Sequence, residues 1–396
     1  MKVKAIFLLL IFVFLFSGCQ DLKEIDETAY IVALAIDKCE GNGFSYTFQF
    51  SKPLAITSDS ENSEEQESSS KEGTKENSSV SNLEIEAPDF YIAKNLTNNF
   101  LSKNVDMSHL KLIVFSSEIS AADLEEHSQL LLREREIRPH TAIAITANSA
   151  AKYLENVNPE LESNTSKYYE LLSLRSNNIY APTKRLHDFV DEISAESRDT
   201  ALPIATNPKE LRDFPSDSLT DGWINAHNLQ ILSDRSILYG MAIFKNGELA
   251  NIMDGDSALI FNILTKEIDH CTITLRDKYN TSETLSFRIT VPEKANFHID
   301  IKNKQITASQ ELQAEFLGAV LPEGYHSFDE LYSYANKVLS ERISEFFIHI
   351  SQKHSADILN LRGCLRTRFL TWNQWNNFDW KNFYKSAKFL MDIEFI

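Results

Sequence analysis

"LKLIVFSSEISAADLEEHSQLLLREREIRPHTAIAITA", Leu110–Ala147, changes its hydrophobic period twice. "LKLIVFSSE" is a short apolar run of the kind a buried strand needs. "SAADLEEHSQLLLREREI" then spaces its apolar residues for a helix. Ser120 is placed to cap it, acids fill its first turn, and Pro139 lies just beyond its end. "TAIAITA" returns to a strand. Strand, helix and strand of these lengths predict a βαβ-like unit, which needs a sheet with parallel neighbours.

Upstream, "AYIVALAIDK" (Ala29–Lys38) and "FSYTFQFSKP" (Phe44–Pro53) read as two strands around a turn at Glu40–Gly43. A hairpin beside a βαβ unit makes the sheet mixed. Residues 58–82 are acidic, serine-rich and without aromatics, so they cannot bury enough surface to offset ordering and are expected as a disordered loop. "APDFYIAKNLTNNFL" (Ala87–Leu101) regains helical spacing.

Downstream, "SAAKYLENV", "SKYYELLSLRSN" and "TKRLHDFVDEI" predict short helices. Proline and aspartate cluster in "ALPIATNPKELRDFPSDSLTDG" (Ala201–Gly222), expected as a boundary loop. "SILYGMAIFKNGELANIM" predicts a hairpin across Asn246–Gly247, followed by a helix capped near Asp256. "CTITL", "LSFRITV" and "FHIDI" each alternate, so each buries one face. They precede an amphipathic helix over Phe328–Ile350, whose stripe is Phe328, Leu331, Ala335, Val338, Leu339, Ile343, Phe346, Phe347 and Ile350. A shorter helix and a closing strand are expected after it. The fold class is α+β, multi-domain, with mixed and antiparallel sheets flanked by helices. The expected division is 1–18, 19–148, 149–264 and 265–396.

The chain start has its own logic. Lys2 and Lys4 precede the apolar run Ala5–Phe16, which is long enough for a signal peptide and too short to span a bilayer. Ser17 and Gly18 then lead into Cys19. The arrangement looks like a bacterial lipobox, with Phe16 where leucine is usual, so Cys19 is expected to carry a diacylglyceryl anchor after removal of residues 1–18. No later segment supplies about 18 consecutive apolar residues.

The formal charge is −18, from 39 basic and 57 acidic residues, and −20 without the leader and its two lysines. Such a chain repels nucleic acid and anionic headgroups, so attachment is expected from lipid and not from a basic face. Cys39, Cys271 and Cys364 are far apart and suggest neither a disulfide framework nor a zinc site. The motifs G-x-S-x-G, H-E-x-x-H, G-x-x-x-x-G-K-[ST] and G-x-G-x-x-G are absent. His349 and His354 are five apart, off the i, i+4 register of a metal pair, and "DGDSA" (Asp254–Ala258) reads as a turn and helix cap, not a calcium loop. No cofactor, metal or catalytic residue is expected. Trp372, Trp375 and Trp380 form either a recognition surface for a partner or the packing of a terminal segment.

Several stretches, in order, carry a resemblance. "CQDLKEIDETAYIVALAIDK" resembles the start of C subunits of spore germinant receptors, the Ger(x)C lipoprotein family, in Cys19, Asp21, Glu24, Ile25, Ile36, Asp37 and Lys38. Gln20 stands where tryptophan is common. "HLKLIVFSSEIS" with "LLREREIRPHTAIAIT", then "YGMAIFKNGELANIMDGDSALIFNIL", then "ADILNLRGCLRTRF" with "WNQWNNFDWKNFY", are similar to later segments of that family. The resemblance implies a lipoprotein on the outer face of the spore inner membrane. It would act with integral-membrane A and B subunits in detecting small nutrients, without catalysis. A solute-binding lipoprotein of a transporter is the alternative, and an extracytoplasmic hydrolase a third.

Overall fold

The computed structural model describes residues 27–41, 43–51, 80–157, 159, 162, 164–174, 178–194, 199–207, 222–224 and 236–396. Cys19 and residues 58–79 of the expected loop lie outside the described residues. So do residues 208–221 of the expected boundary loop.

The first half alternates strands and helices. They run β1 (Thr28–Lys38), β2 (Phe44–Ser51), β3 (Val80–Ala87), α1 (Phe90–Phe100), β4 (Asn104–Asp106), β5 (Leu112–Ser116), α2 (Ala121–Arg133) and β6 (Ala142–Thr146). Three helices follow, α3 (Ala150–Glu155), α4 (Thr165–Leu174) and α5 (Leu186–Ser194), then β7 (Thr200–Thr206), β8 (Ile237–Lys245) and β9 (Glu248–Met253). These strands form one sheet in the order β3-β2-β1-β5-β6-β7-β8-β9, with β4 alongside β1. β1, β5, β6 and β7 are parallel, while β2 and β3 at one edge and β8 and β9 at the other are antiparallel. The sheet is therefore mixed, as the hairpin beside the βαβ unit requires.

Both faces of its centre are covered. Ile113, Phe115, Ile143 and Ile145 point to the side where α1, α2 and α5 bring Phe90, Leu124, Leu131 and Phe189. Leu112, Val114, Ala142 and Ala144 face the other side, under Tyr153 and Leu154 of α3 and Tyr169 of α4. That is why "LIVFS" and "AIAIT" read as unbroken apolar runs: alternate residues enter different cores. Ser120 caps α2 as expected, its side chain accepting from Asp123 N.

The second half continues with α6 (Gly255–Thr265), β10 (His270–Arg276), β11 (Thr284–Thr290), β12 (Asn296–Asp300), β13 (Gln305–Phe316) and α7 (Phe328–Ile348). After a π-helical turn (His349–Lys353) come α8 (Leu361–Leu365), α9 (Trp372–Asn376), α10 (Trp380–Ser386) and β14 (Lys388–Phe395). The second sheet is ordered β10-β11-β13-β12, with β14 parallel to β13. Its inward side chains meet α6 and α7 in a core that also takes in Ala201 of β7 and Met241 and Ile243 of β8. Residues Gly255–Leu264 of α6 are all buried, as a helix packed on all sides must be.

The structure corrects several expectations. Ala201–Thr206, expected as loop, is a buried central strand. Its Pro203 stands at an irregularity between β7 and β8, where a missing N–H is tolerated. Gly240 on β8 has φ +83°, its N–H donates away from the ladder to Tyr180 O, and a side chain there would meet Met253 O at 2.6 Å. Val80–Asn82, expected to end the loop, begin β3 because they pair with Ser51, Phe50 and Gln49. Asp254, not Asp256, caps α6, accepting from Ser257 N at 2.8 Å. β13 was not expected at all. In the long helix, Phe328 is 48% exposed because it opens the first turn beyond the core, while the rest of the expected stripe is buried.

Candidate functional site

Where parallel strands end side by side, their carboxyl ends open a crevice. Here β1, β5 and β6 end around a cavity of about 790 Å³ lined by Asp37, Glu40, Glu84, Glu86 and Glu118, with Lys38 and Lys152 as the cations. Asp37, the last-but-one residue of β1, organises it. Its Oδ1 accepts from Ala150 N at 2.7 Å and its Oδ2 from Ala151 N at 2.9 Å, so the carboxylate holds the start of α3. Desolvation raises the Asp37 pKa, and those two N–H bonds and Ser149 oppose the rise. Lys38 turns the other way, pairing with Asp123 of α2 at 3.2 Å and lying over the Phe44 ring at 4.3 Å.

Desolvation pushes the Cys39 thiol up, and Glu86 and Glu84 push it further, so it stays protonated and is a poor nucleophile. Among the described residues, no group of three or more His, Cys, Asp or Glu is arranged to hold a metal ion. The arrangement can present negative charge to a partner or cation.

A second cleft, of about 680 Å³, lies between α7 and the turn after β10. Lys278 fills its aromatic corner, 4.6 Å, 4.9 Å and 5.6 Å from the ring centres of Tyr279, Tyr325 and Tyr334, and pairs with Glu330 at 2.9 Å. Glu330 is held at a pKa of about 2, first by the His326 N–H and then by Tyr279 and Lys278.

The three tryptophans, for which a partner surface and terminal packing were both open, separate. Trp375 and Trp380 are buried in the core around the second sheet, with Arg362 stacked over Trp375 at 4.8 Å. Trp372 is 54% exposed, next to Leu370, which is 94% exposed, and Arg366 lies over its ring at 5.5 Å. None of the three lines the crevice.

Sequence reasoning missed two linked carboxylates, half-buried Asp199 and buried Asp357. Asp199, just before β7, accepts from Asn246 N at 2.9 Å and from Asp357 N at 2.8 Å. Asp357 in turn accepts from Leu361 N and Arg362 N, both at 2.8 Å, and so holds the start of α8. Asp37 and Asp357 were visible in sequence only as members of quoted motifs, "AIDK" and "ADI". Each grips the start of a helix: Asp357 that of α8, four residues on, and Asp37 that of α3, more than a hundred residues away, which no local spacing reveals.

These features define a mixed α+β protein with two sheets sharing a core and an acidic crevice at the carboxyl ends of its parallel strands. Residues 21–207 match the family model described as the spore germination protein N-terminal domain. Residues 239–395 match the one described as spore germination B3/GerAC-like, C-terminal. The chain belongs to this spore germination family, the Ger(x)C family. Its fold is similar to that in the crystal structure of the GerBC protein, with a TM-score of 0.51 and 14% identity over 91% of this chain and 96% of that one. No curated protein matches the chain by sequence.

Proposed function

We propose that this chain is the C-type subunit of a nutrient germinant receptor, fixed to the membrane by lipid on Cys19 and acting without catalysis beside integral-membrane A and B subunits. The observation that carries the reading is the pair of spore germination family models, matched in order from residue 21 to residue 395. Supporting it, no helix among the described residues is long and apolar enough to cross a membrane, so attachment would rest on the lipid. Two or three acyl chains make such attachment effectively permanent, where one would be reversible. The tether raises the chain's effective concentration beside its partners, so a weak interface suffices.

The test is Cys19→Ala at native abundance. The variant is expected to leave the membrane fraction and to impair nutrient-triggered germination. Full germination by the released variant would overturn the reading. Mild-detergent capture of the native chain separates the alternatives: A- and B-type membrane subunits support this one, and a transporter supports a solute-binding role.

A further inference from the structure

Strand direction sorts this molecule's charges into two ends. The carboxyl ends of β1, β5 and β6 carry the acidic crevice, five carboxylates against two lysines. The amino ends of the same strands carry a local excess of cations, with Glu134 and Glu136 interleaved among them and paired to Lys94 at 3.4 Å and 3.0 Å. Lys111 precedes β5, Arg133, Arg135, Arg138 and His140 lie between the end of α2 and the start of β6, and Arg185 bridges Ala142 just before α5. Desolvation lowers the His140 pKa, and the charges of Arg138, Lys111, Arg185 and His187 lower it further, which shows how closely these cations gather. Glu170 partners Lys111 at 3.1 Å, and Asp188 meets His187 at 3.0 Å, while Arg138 and Arg185 are exposed. In a chain of net charge −18, this is segregation.

The chain enters at the basic end. Thr28, Ala29 and Tyr30 pair with Asn104, Val105 and Asp106 of β4, and the Tyr30 ring lies 4.6 Å from His109. Phe100, closing α1 beside β4, is 70% exposed. Cys19 is nine residues before Thr28, and nine residues span at most about 30 Å in any conformation. A lipid on Cys19 therefore holds Thr28 within about 30 Å of the bilayer; Asp37 lies nine residues further along β1, also about 30 Å away, so the charge of the two ends decides which one faces the lipid.

We propose that the amino ends of β1, β5 and β6 face an anionic lipid surface, with Arg138 and Arg185 at the headgroup phosphates and the acidic crevice turned away. The inference rests on the Cys19 anchor for its geometry. A bilayer with acidic lipids attracts the basic end and repels the acidic one, so the two forces turn the tethered molecule the same way. Residues 52–79, with seven acids between 58 and 79, join Ser51 to Val80 from this end too, so the test keeps them in place.

Residues 20–396, carrying an N-terminal hexahistidine instead of the anchor, retain every described strand and helix. They can be held on nickel-chelating lipid in phosphatidylcholine vesicles with or without phosphatidylglycerol. Hydrogen exchange is then compared at the two ends. Phosphatidylglycerol is expected to slow exchange severalfold over 134–141 and 184–187 and to leave 84–86 and 117–118 unchanged. Raised salt should abolish the protection, because such attractions are screened within a Debye length. Arg138→Glu with Arg185→Glu should also abolish it, whereas Lys152→Glu at the crevice should not. A circular dichroism spectrum matching the parent shows that the reversed variant is folded, and Arg138→Gln with Arg185→Gln supplies a milder second variant. Protection at the crevice end, no dependence on phosphatidylglycerol, or protection that survives both arginine variants would overturn the proposal. An unacylated Cys19 in the native protein would defeat the anchor reading instead, because this measurement supplies its own tether.

Discussion

Asp357 holds the start of α8 from a position 2% exposed to solvent. Desolvation pushes its pKa up to about 7, against the two backbone bonds that lower it, and Asp199 adds to the rise. The folded value thus lies above the ordinary carboxylate value of 3.8. Below about pH 4 both folded and unfolded forms are protonated, and this group's contribution is fully present. Between about 4 and 7 the folded form keeps a proton that the unfolded chain has released, so stability falls as pH rises. The total is at most about 4 kcal/mol. Asp357→Asn should remove that slope: urea midpoints of the parent should fall relative to the variant between pH 5 and pH 8. Parallel midpoints across that range would show that Asp357 does not titrate there. Asp37 offers a simpler case. Asp37→Ala leaves two N–H groups at the start of α3 without their acceptor, at a cost of about 1–2 kcal/mol. The loss should appear as faster exchange at Ala150 and Ala151; unchanged exchange there would mean that another group holds the helix start.

Among the elements, α7 carries a charge into the core. Arg342 is 2% exposed, its Nη2 donating to Ser257 Oγ at 3.2 Å with Asp254 Oδ1 at 3.9 Å, and its Nη1 donating to Glu345 at 3.4 Å. It ties the long helix to the start of α6. Arg342→Ala would remove the cation beside Asp254 and leave a void, costing about 3–5 kcal/mol. Arg342→Met, which keeps most of the volume, should cost less. A urea midpoint for the alanine variant within error of the parent would show that the pair does not hold the helices together. No periodicity argument finds such a residue, because Arg342 sits between the apolar positions Leu339 and Ile343 on the same side of the helix. The elements themselves were largely legible where one face alone is buried, as in β10, β11 and α7. They were illegible where the inward positions are polar. β13 points Ile306, Ala308, Gln310 and Leu312 inward, and the Gln310 amide nitrogen donates there to Ile263 O and Glu293 O, so half the inward positions are small or polar. β7 hid behind Pro203, and β3 behind the polar run that leads into it. Of the site, the crevice followed from the βαβ pattern only once strand order was known, and the burial of Trp375 and Trp380 depends on a core assembled from distant segments.

At the scale of the whole molecule, the central question is whether the two halves are separable. β7 lies in the first family match and β8 in the second, yet they are neighbours in one sheet, paired from Thr200–Phe244 to Thr206–Ile237. Residues 27–207 alone would leave β7 as an open edge, with Ala201 and Leu202 bared, and an unpaired buried strand is an aggregation surface. Residues 236–396 alone would keep α6 and the second sheet over Met241 and Ile243 but expose Ala242 and Phe244, which pack against the first half, on a hairpin that is marginal without further strands. Each fragment, cut within 208–235 and produced separately, is therefore expected to be largely insoluble. The two produced together should associate and co-purify, because the β7–β8 ladder and the core shared with α6 re-form. Pro203→Val in the first fragment restores a donor but not the irregular pairing at Gly240, so it should not strengthen association. Two soluble fragments that ignore each other would show that the continuous sheet contributes little, and that the halves behave as independent bodies joined by chain alone.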